Sequence, residues 1–186
     1  MDDSLVTGCS SIYKSLTDFS AIAEILGKKN YQISKELSAL KNALRNKPQR
    51  FDRSWNSKSR YSMDWYYPIL CDIHDEKESK KIIKEKWENF VVPGLGCKCV
   101  EEEPWVTIAE SCELILALNK IGEQKLAKQI YEDILKLVDK KDDLFWTGFV
   151  YKDKKHWPVE KPSWTAAAVI LAANSIFRIN SNFNFF

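Results

Sequence analysis

Acidic residues stand beside tryptophans at three places in this 186-residue chain. Asp64 lies in YSMDWYYPIL (61–70), Glu110 in CVEEEPWVTIAESCELILAL (99–118) and Glu160 in EKPSWTAAAVILA (160–172). A carboxylate surrounded by aromatic rings loses hydration, which raises its pKa and suits it to proton transfer. We therefore predict Asp64, Glu110 and Glu160 as catalytic residues. Each also has a structural alternative, because an acid in the first turn of a helix stabilises the helix dipole.

Large aromatic side chains near these acids predict a ligand-binding surface. An indole ring can shield a cation or stack on a sugar, and its N–H donates one hydrogen bond. Glu103 is added because three consecutive acids, 101–103, exceed what a helix N-terminus needs. The residues predicted to contact the ligand are Trp65, Tyr66, Glu103, Trp105, Trp146, Trp157 and Trp164.

Composition and cysteine spacing argue against several other classes. The net charge is +2 and the lysines alternate with acids, so we expect no nucleic-acid partner. Cys97 and Cys99 are closer together than a usual zinc pair, and no second pair follows, so we predict no metal and no cofactor. The five cysteines, the absence of a signal-like N-terminus and the absence of a long apolar run predict a cytoplasmic protein without a membrane span.

Apolar residues at three- and four-residue spacing predict seven helices, with a short extended segment before the last. The predicted helices are Ser10–Leu26, Tyr31–Asn46, Ser62–Ile73, Glu76–Phe90, Trp105–Leu118, Glu123–Val138 and Ser163–Phe177. The residues 142–151, DDLFWTGFVY, predict a β-hairpin-like segment near 144–151 with a turn at Gly148. Hydroxyl residues about 50 positions apart are predicted to lead the odd-numbered helices: Ser10, Ser62, Thr107 and Ser163.

The odd-numbered helices are apolar around most of their circumference, whereas the even-numbered ones carry lysines on one side. This alternation predicts an inner and an outer layer of helices, and therefore an all-α fold of the α/α-toroid type. We expect residues 1–186 to form one such domain. The first turns of the inner helices would then gather their acids and tryptophans at the mouth of one cavity.

The segments RYSMDWYYPIL, FVVPGLGCKCVEEEPWVTIAESCELILAL, FWTGFVY and WPVEKPSWTAAAVILAA resemble a group of uncharacterised bacterial prenyltransferase-like proteins. That group is similar to the terpenoid-cyclase and protein-prenyltransferase toroids. The resemblance implies a transferase-like enzyme with an isoprenoid ligand. It also implies that the chain corresponds to the C-terminal part of the family and is incomplete at its N-terminus. A homodimer or a separate N-terminal half would then complete the ring.

Two alternatives stay open from the residues alone. Six-hairpin glycosidases share the toroid layout and use carboxylates at its mouth, so a carbohydrate-active or sugar-binding toroid fits the pairs of tryptophan and acid. The third reading is a non-catalytic scaffold or a truncated remnant. The role of Cys97 and Cys99 is open in all three.

Overall fold

The computed structural model describes residues 4–28, 31–52 and 57–179 and is mostly helical. This confirms the predicted all-α class with a small β segment. The helices are α1 (Val6–Ile25), α2 (Tyr31–Asn46), α3 (Met63–Leu70), α4 (Glu76–Phe90), α5 (Ile108–Lys120), α6 (Gln124–Leu135) and α7 (Ser163–Phe177), with short 3₁₀ turns at Pro48–Arg50 and Lys58–Arg60. The strands are β1 (Val91–Val92), β2 (Gly96–Cys97), β3 (Trp105–Thr107), β4 (Val138–Asp139), β5 (Leu144–Phe145), β6 (Gly148–Val150) and β7 (Lys155–His156).

The helices pack in two layers, as their alternating composition predicts. One row runs α1, α3, α5, α7, each helix in contact with the next. In the second layer, α2 packs on α1, α4 on α3, and α6 on both α5 and α7. The arrangement is an arc of helical hairpins in which the odd-numbered helices form the inner row.

Helix α5 lies at the centre of the core. Its residues Ile108, Leu114, Ile115 and Leu118 have no exposed surface, and the helix contacts α3 on one side and α7 on the other. Burying an aliphatic side chain of this size stabilises the fold by roughly 1.5–3 kcal/mol. The first turn of α5, which carries Glu110, is therefore held by a well-packed helix.

The predicted helix at 105–118 begins three residues later than its sequence pattern suggested. Trp105–Thr107 is strand β3, antiparallel to β6, with Trp105 opposite Val150 and Thr107 opposite Gly148. β6 in turn pairs with β7. Tryptophan, valine and threonine favour extended backbone, and the pairing with β6 outweighs the apolar helical spacing.

The hydroxyl residues predicted to lead the odd-numbered helices lie at the helix starts, except for Ser10. α1 begins at Val6, so Ser10 is buried inside the helix and its hydroxyl donates to the Val6 carbonyl at 2.8 Å. Ser62 and Thr107 precede their helices but make no side-chain capping bond. The N-cap of α7 is Pro162, and Ser163 is the first residue of the helix. These hydroxyl residues mark approximate helix starts without capping them.

The β segment also differs from its prediction. Gly148 belongs to strand β6 and is not a turn residue. The observed hairpins are β4–β5 and β6–β7. Helix α6 ends at Leu135 instead of continuing to Val138, because Val138–Asp139 pairs with β5.

Candidate functional site

Two acids of α5 and two tyrosines of α3 form an acid–tyrosine cluster, Glu110, Glu113, Tyr66 and Tyr67. The Tyr66 hydroxyl donates to Glu113 Oε2 at 2.6 Å, and the Tyr67 hydroxyl donates to Glu113 Oε1 at 2.7 Å. Glu110 precedes Glu113 by three residues, so the two carboxylates share one side of α5. The cluster therefore joins neighbouring inner helices through one carboxylate that accepts two short hydrogen bonds.

Burial governs the electrostatics of this cluster. It raises the pKa of Glu113 above its usual value, although the hydrogen bonds from Tyr66 and Tyr67 act in the opposite direction, and the nearby Glu110 raises it further. Burial and then the Glu113 charge raise the pKa of both tyrosines. Both phenols therefore stay protonated at neutral pH and act as donors to Glu113.

Glu110 has a different environment from Glu113. Its Oε2 atom is buried and has no hydrogen-bond partner among the described residues. The Cys99 thiol lies within hydrogen-bonding reach of the Glu110 carboxylate, and burial followed by this acid raises the pKa of Cys99 to about 12. A carboxylate oxygen without a protein donor can interact with a ligand hydroxyl or a water molecule.

Asp64 lies in the first turn of α3, two residues before Tyr66. Its Oδ1 atom is buried without a partner among the residues that the structure describes. Burial raises its pKa to about 6, the Asp52 carboxylate adds to the increase and Lys86 opposes it. This is the range in which a carboxyl group can donate a proton near neutral pH.

The loops beside the first turns of α5 and α7 carry a second group, the tryptophan rim, consisting of Trp105, Trp146, Trp157 and Glu160. The Trp105 indole N–H donates to the Trp157 carbonyl at 2.8 Å, and the two rings meet edge to face at 5.0 Å. Trp157 is 56% exposed. Glu160 is exposed and its Oε1 atom accepts from the Thr147 hydroxyl at 3.1 Å.

Trp146 is held between the ring of His156 and the ammonium group of Lys161. It stacks on His156 with 5.0 Å between ring centroids, and the Lys161 ammonium lies 4.2 Å from the Trp146 ring centre. Lys161 also pairs with Asp139 and Asp142, each at 2.7 Å. These contacts attach the β4–β5 hairpin to the segment that leads into α7.

The residues predicted to contact the ligand that lie outside the tryptophan rim occupy two kinds of position, the buried core and the exposed surface. Trp65 and Tyr66 are core residues, 5% and 0% exposed, and Trp65 packs edge-on against Tyr66. Glu103 and Trp164 are exposed, Trp164 by 52%.

The three predicted catalytic acids do not share partners. Asp64 has Asp52 and Lys86 as charged neighbours, Glu110 lies near Cys99, and Glu160 bonds Thr147. Glu113, which the sequence did not single out, has the phenols of Tyr66 and Tyr67 as its partners, while Lys120 binds Asp72 at 2.9 Å.

A further surface feature lies outside both the acid–tyrosine cluster and the tryptophan rim. A groove of about 420 Å³ between α4 and α6, lined by Trp87 with lysines and acids, contains none of the predicted site residues.

Within residues 4–28, 31–52 and 57–179, no three His, Cys, Asp or Glu side chains are grouped to hold a metal ion. In the same residues no helix has the length and apolar character needed to cross a membrane.

Comparison with known proteins gives one informative relative, and no protein-family model matches the chain. The chain is 40% identical over 177 residues to a protein of Mycolicibacterium hassiacum named MMP endo-(1,4)-3-O-methyl-alpha-D-mannosidase. The aligned region is 95% of this chain and 48% of the relative, so the chain spans about half the length of the protein it matches. This finding overturns the resemblance to prenyltransferase-like and terpenoid-cyclase proteins, because the relative is named as a glycosidase. The chain is thus similar, over nearly all of its own length, to about half of an α-mannosidase.

Proposed function

We propose that the chain forms part of a glycosidase that acts on α-linked mannose oligosaccharides. The observation that carries the proposal is the 40% identity to the endo-mannosidase over 95% of this chain. The unpartnered carboxylate oxygens of Asp64 and Glu110 on neighbouring inner helices support it. The sugar-binding alternative drawn from the sequence becomes the main reading.

The reaction needs two carboxyl groups on opposite sides of the glycosidic bond. We do not assign Glu113 to that pair, because both of its carboxylate oxygens already accept hydrogen bonds from Tyr66 and Tyr67. We assign the proton donor to Asp64, because burial raises its pKa to about 6 and so brings its titration close to neutral pH. Glu110 is assigned as the opposed carboxylate, because its buried Oε2 atom has no hydrogen-bond partner among the described residues.

In this assignment the bond between the anomeric carbon and the glycosidic oxygen breaks. Asp64 gives its proton to the departing oxygen, and Glu110 either attacks the anomeric carbon or takes a proton from the water that does so. Glu113 positions the first turns of α3 and α5 relative to each other through its two tyrosine bonds. The tryptophan rim offers the exposed ring of Trp157 for stacking on a further sugar unit.

The test is hydrolysis of α-(1,4)-linked 3-O-methyl-mannose oligosaccharides. The released reducing ends are measured over time. The chain is assayed alone and together with a polypeptide equivalent to the part of the M. hassiacum protein that it does not match. Glu110→Gln and Asp64→Asn are compared with Glu132→Gln, an exposed acid on the outer helix α6. An α-(1,4)-glucan oligosaccharide is the substrate control.

Hydrolysis that both site variants abolish and Glu132→Gln leaves intact supports the proposal. The anomeric form of the first product then indicates the distance between the two catalytic carboxyl groups. This distance is shorter in enzymes that retain the anomeric configuration than in those that invert it. Hydrolysis unaffected by either site variant would overturn the residue assignment. Absence of hydrolysis and of oligosaccharide binding in both formats would overturn the function.

A further inference from the structure

The two ends of the helical arc expose apolar side chains that the described residues do not cover. Along α1 and its C-cap, positions separated by three, four or seven residues lie on one side of the helix. The members of this α1 stripe are Leu5, Ile12, Phe19, Ile22 and Leu26, which are 38%, 54%, 51%, 56% and 65% exposed. A stripe of this kind is typical of a helix face that packs against another element.

Helix α7, at the opposite end of the inner row, has a matching α7 face. Ile170 and Phe177, seven residues apart, are 68% and 54% exposed, and Trp164 lies near the start of the same helix with 52% exposed. The inner helices between them differ, since α5 has eight buried residues and α3 has five. Exposure of large apolar groups is therefore concentrated on the terminal members of the row.

We propose that the α1 stripe and the α7 face are docking surfaces for a helical polypeptide equivalent to the unmatched part of the M. hassiacum mannosidase. The relative is about twice as long as this chain, and 52% of it has no counterpart in the aligned region, which covers 48%. At 40% identity the matched part of the relative folds like this chain. In the mannosidase, the helices equivalent to α1 and α7 would then pack against its unmatched part. A polypeptide like that part would pack on α1 and α7 of this chain in the same way.

The proposal concerns an interface and does not depend on the reaction. The unmatched part of the mannosidase, produced as a separate polypeptide, is mixed with this chain, and the complex is followed by sedimentation and by binding titration. We expect a one-to-one complex. The double variant Ile12→Glu/Phe19→Glu should weaken it by about 100-fold or more, because two buried anchor positions would carry charge.

Gln129→Glu is the control. Gln129 is exposed on α6, outside the α1 stripe and the α7 face, so the added charge should leave the affinity unchanged. Circular dichroism should show all three proteins folded, since the substituted side chains are already exposed. Ile170→Glu provides an independent test of the α7 face.

A second experiment joins the two parts in one polypeptide, so that it does not require separate chains to bind each other. This chain replaces the matched part of the mannosidase in a single polypeptide, and the double variant should lower the unfolding midpoint of that chimera but not of the isolated chain. Three results would overturn the proposal: no complex with the mannosidase part, equal affinity for the double variant, or a stable dimer of this chain alone that the double variant disrupts. The last result would identify a second copy as the occupant.

Discussion

The inner-helix acids and the tryptophan rim place carboxylates in opposite environments. Glu113 is largely buried and accepts hydrogen bonds from two side chains of another helix, whereas Glu160 is exposed and accepts from Thr147. Burial also raises the pKa of Asp64 to about 6. A raised pKa reflects a charged form that the fold disfavours, which is the condition under which a carboxyl group can hold and release a proton near neutral pH.

The rim is built for contact instead. Its rings are fixed by main-chain and cation–π interactions, and Trp157 remains half exposed. Packing within the helices can place a group that must change charge, while strands and loops can present flat rings to a ligand. We propose that the helices carry the chemistry and that the rim contacts the substrate, and the following predictions test that division.

The largest expected effect is on turnover. Glu110→Gln and Asp64→Asn should each lower kcat by about 100–1,000-fold or more, because each removes a group required in the transition state. Glu160→Gln should change kcat less than about tenfold, since that acid is proposed only to contact substrate. Steady-state kinetics on the oligosaccharide measure all three. A loss for Glu160→Gln equal to that for Glu110→Gln would reverse the proposed division.

The attachment of the rim to α5 depends on Gly148. A Cβ at this position would lie 2.4 Å from the Trp105 indole nitrogen and 2.7 Å from the Val106 carbonyl oxygen. The carbonyl belongs to the paired strand and cannot move easily, so Gly148→Ala should destabilise the protein by roughly 1–3 kcal/mol. Denaturant unfolding measures the change, and a drop in kcat without any loss of stability would contradict the steric reason.

Gly8→Ala is the matched control for that substitution. Gly8 lies in α1 and an added Cβ there meets nothing within 4 Å. Alanine is the better helix former, so this change should stabilise the protein by about 0.5–1 kcal/mol.

The stability of the protein should depend on pH through Asp64. Its pKa is raised from 3.8 to about 6 in the folded state, so the folded protein holds the proton more tightly than the unfolded chain. The free energy of unfolding therefore falls as pH rises from about 4 to 6. Asp64→Asn should gain about 1–2 kcal/mol at pH 7 after allowance for solvent screening, and nothing below about pH 4.

Thermal or denaturant unfolding at several pH values tests this prediction, with the exposed Glu160→Gln as control. Asp64→Asn should remove activity while it stabilises the fold, as is common at strained functional positions. A variant that is less stable than wild type at pH 7 would show that the Asp64 carboxylate makes a favourable structural interaction.

The smallest effect is expected at the exposed ring of the rim. Trp157→Ala should weaken oligosaccharide binding by roughly three- to thirtyfold, which corresponds to the loss of one stacking contact. The free energy of unfolding should fall by only about 0.5–1.5 kcal/mol, because the Trp157 ring is 56% exposed and its ring contact is with Trp105. Titration calorimetry and unfolding together separate the two effects, and unchanged binding would remove Trp157 from the substrate surface.

The sequence predicted the helices because apolar spacing within a segment records which side of it is buried. The two layers followed from the same signal, since all-round apolar helices alternate with one-sided ones. Spacing also placed Glu110 and Glu113 on one side of α5. Local pattern failed at Trp105–Thr107, where pairing with a strand more than 40 residues later made the segment extended.

The chain by itself thus determined the fold class and the approximate helix positions, whereas the acids that it offered for proton transfer stay a prediction. The tertiary structure decided which groups meet: it joined Glu113 to Tyr66 and Tyr67 across 47 and 46 residues of sequence, and it gave Asp64, Glu110 and Glu160 separate partners. The physical reason is that periodicity specifies one face of one element. The contact between two faces depends on packing among distant segments, which no local pattern records.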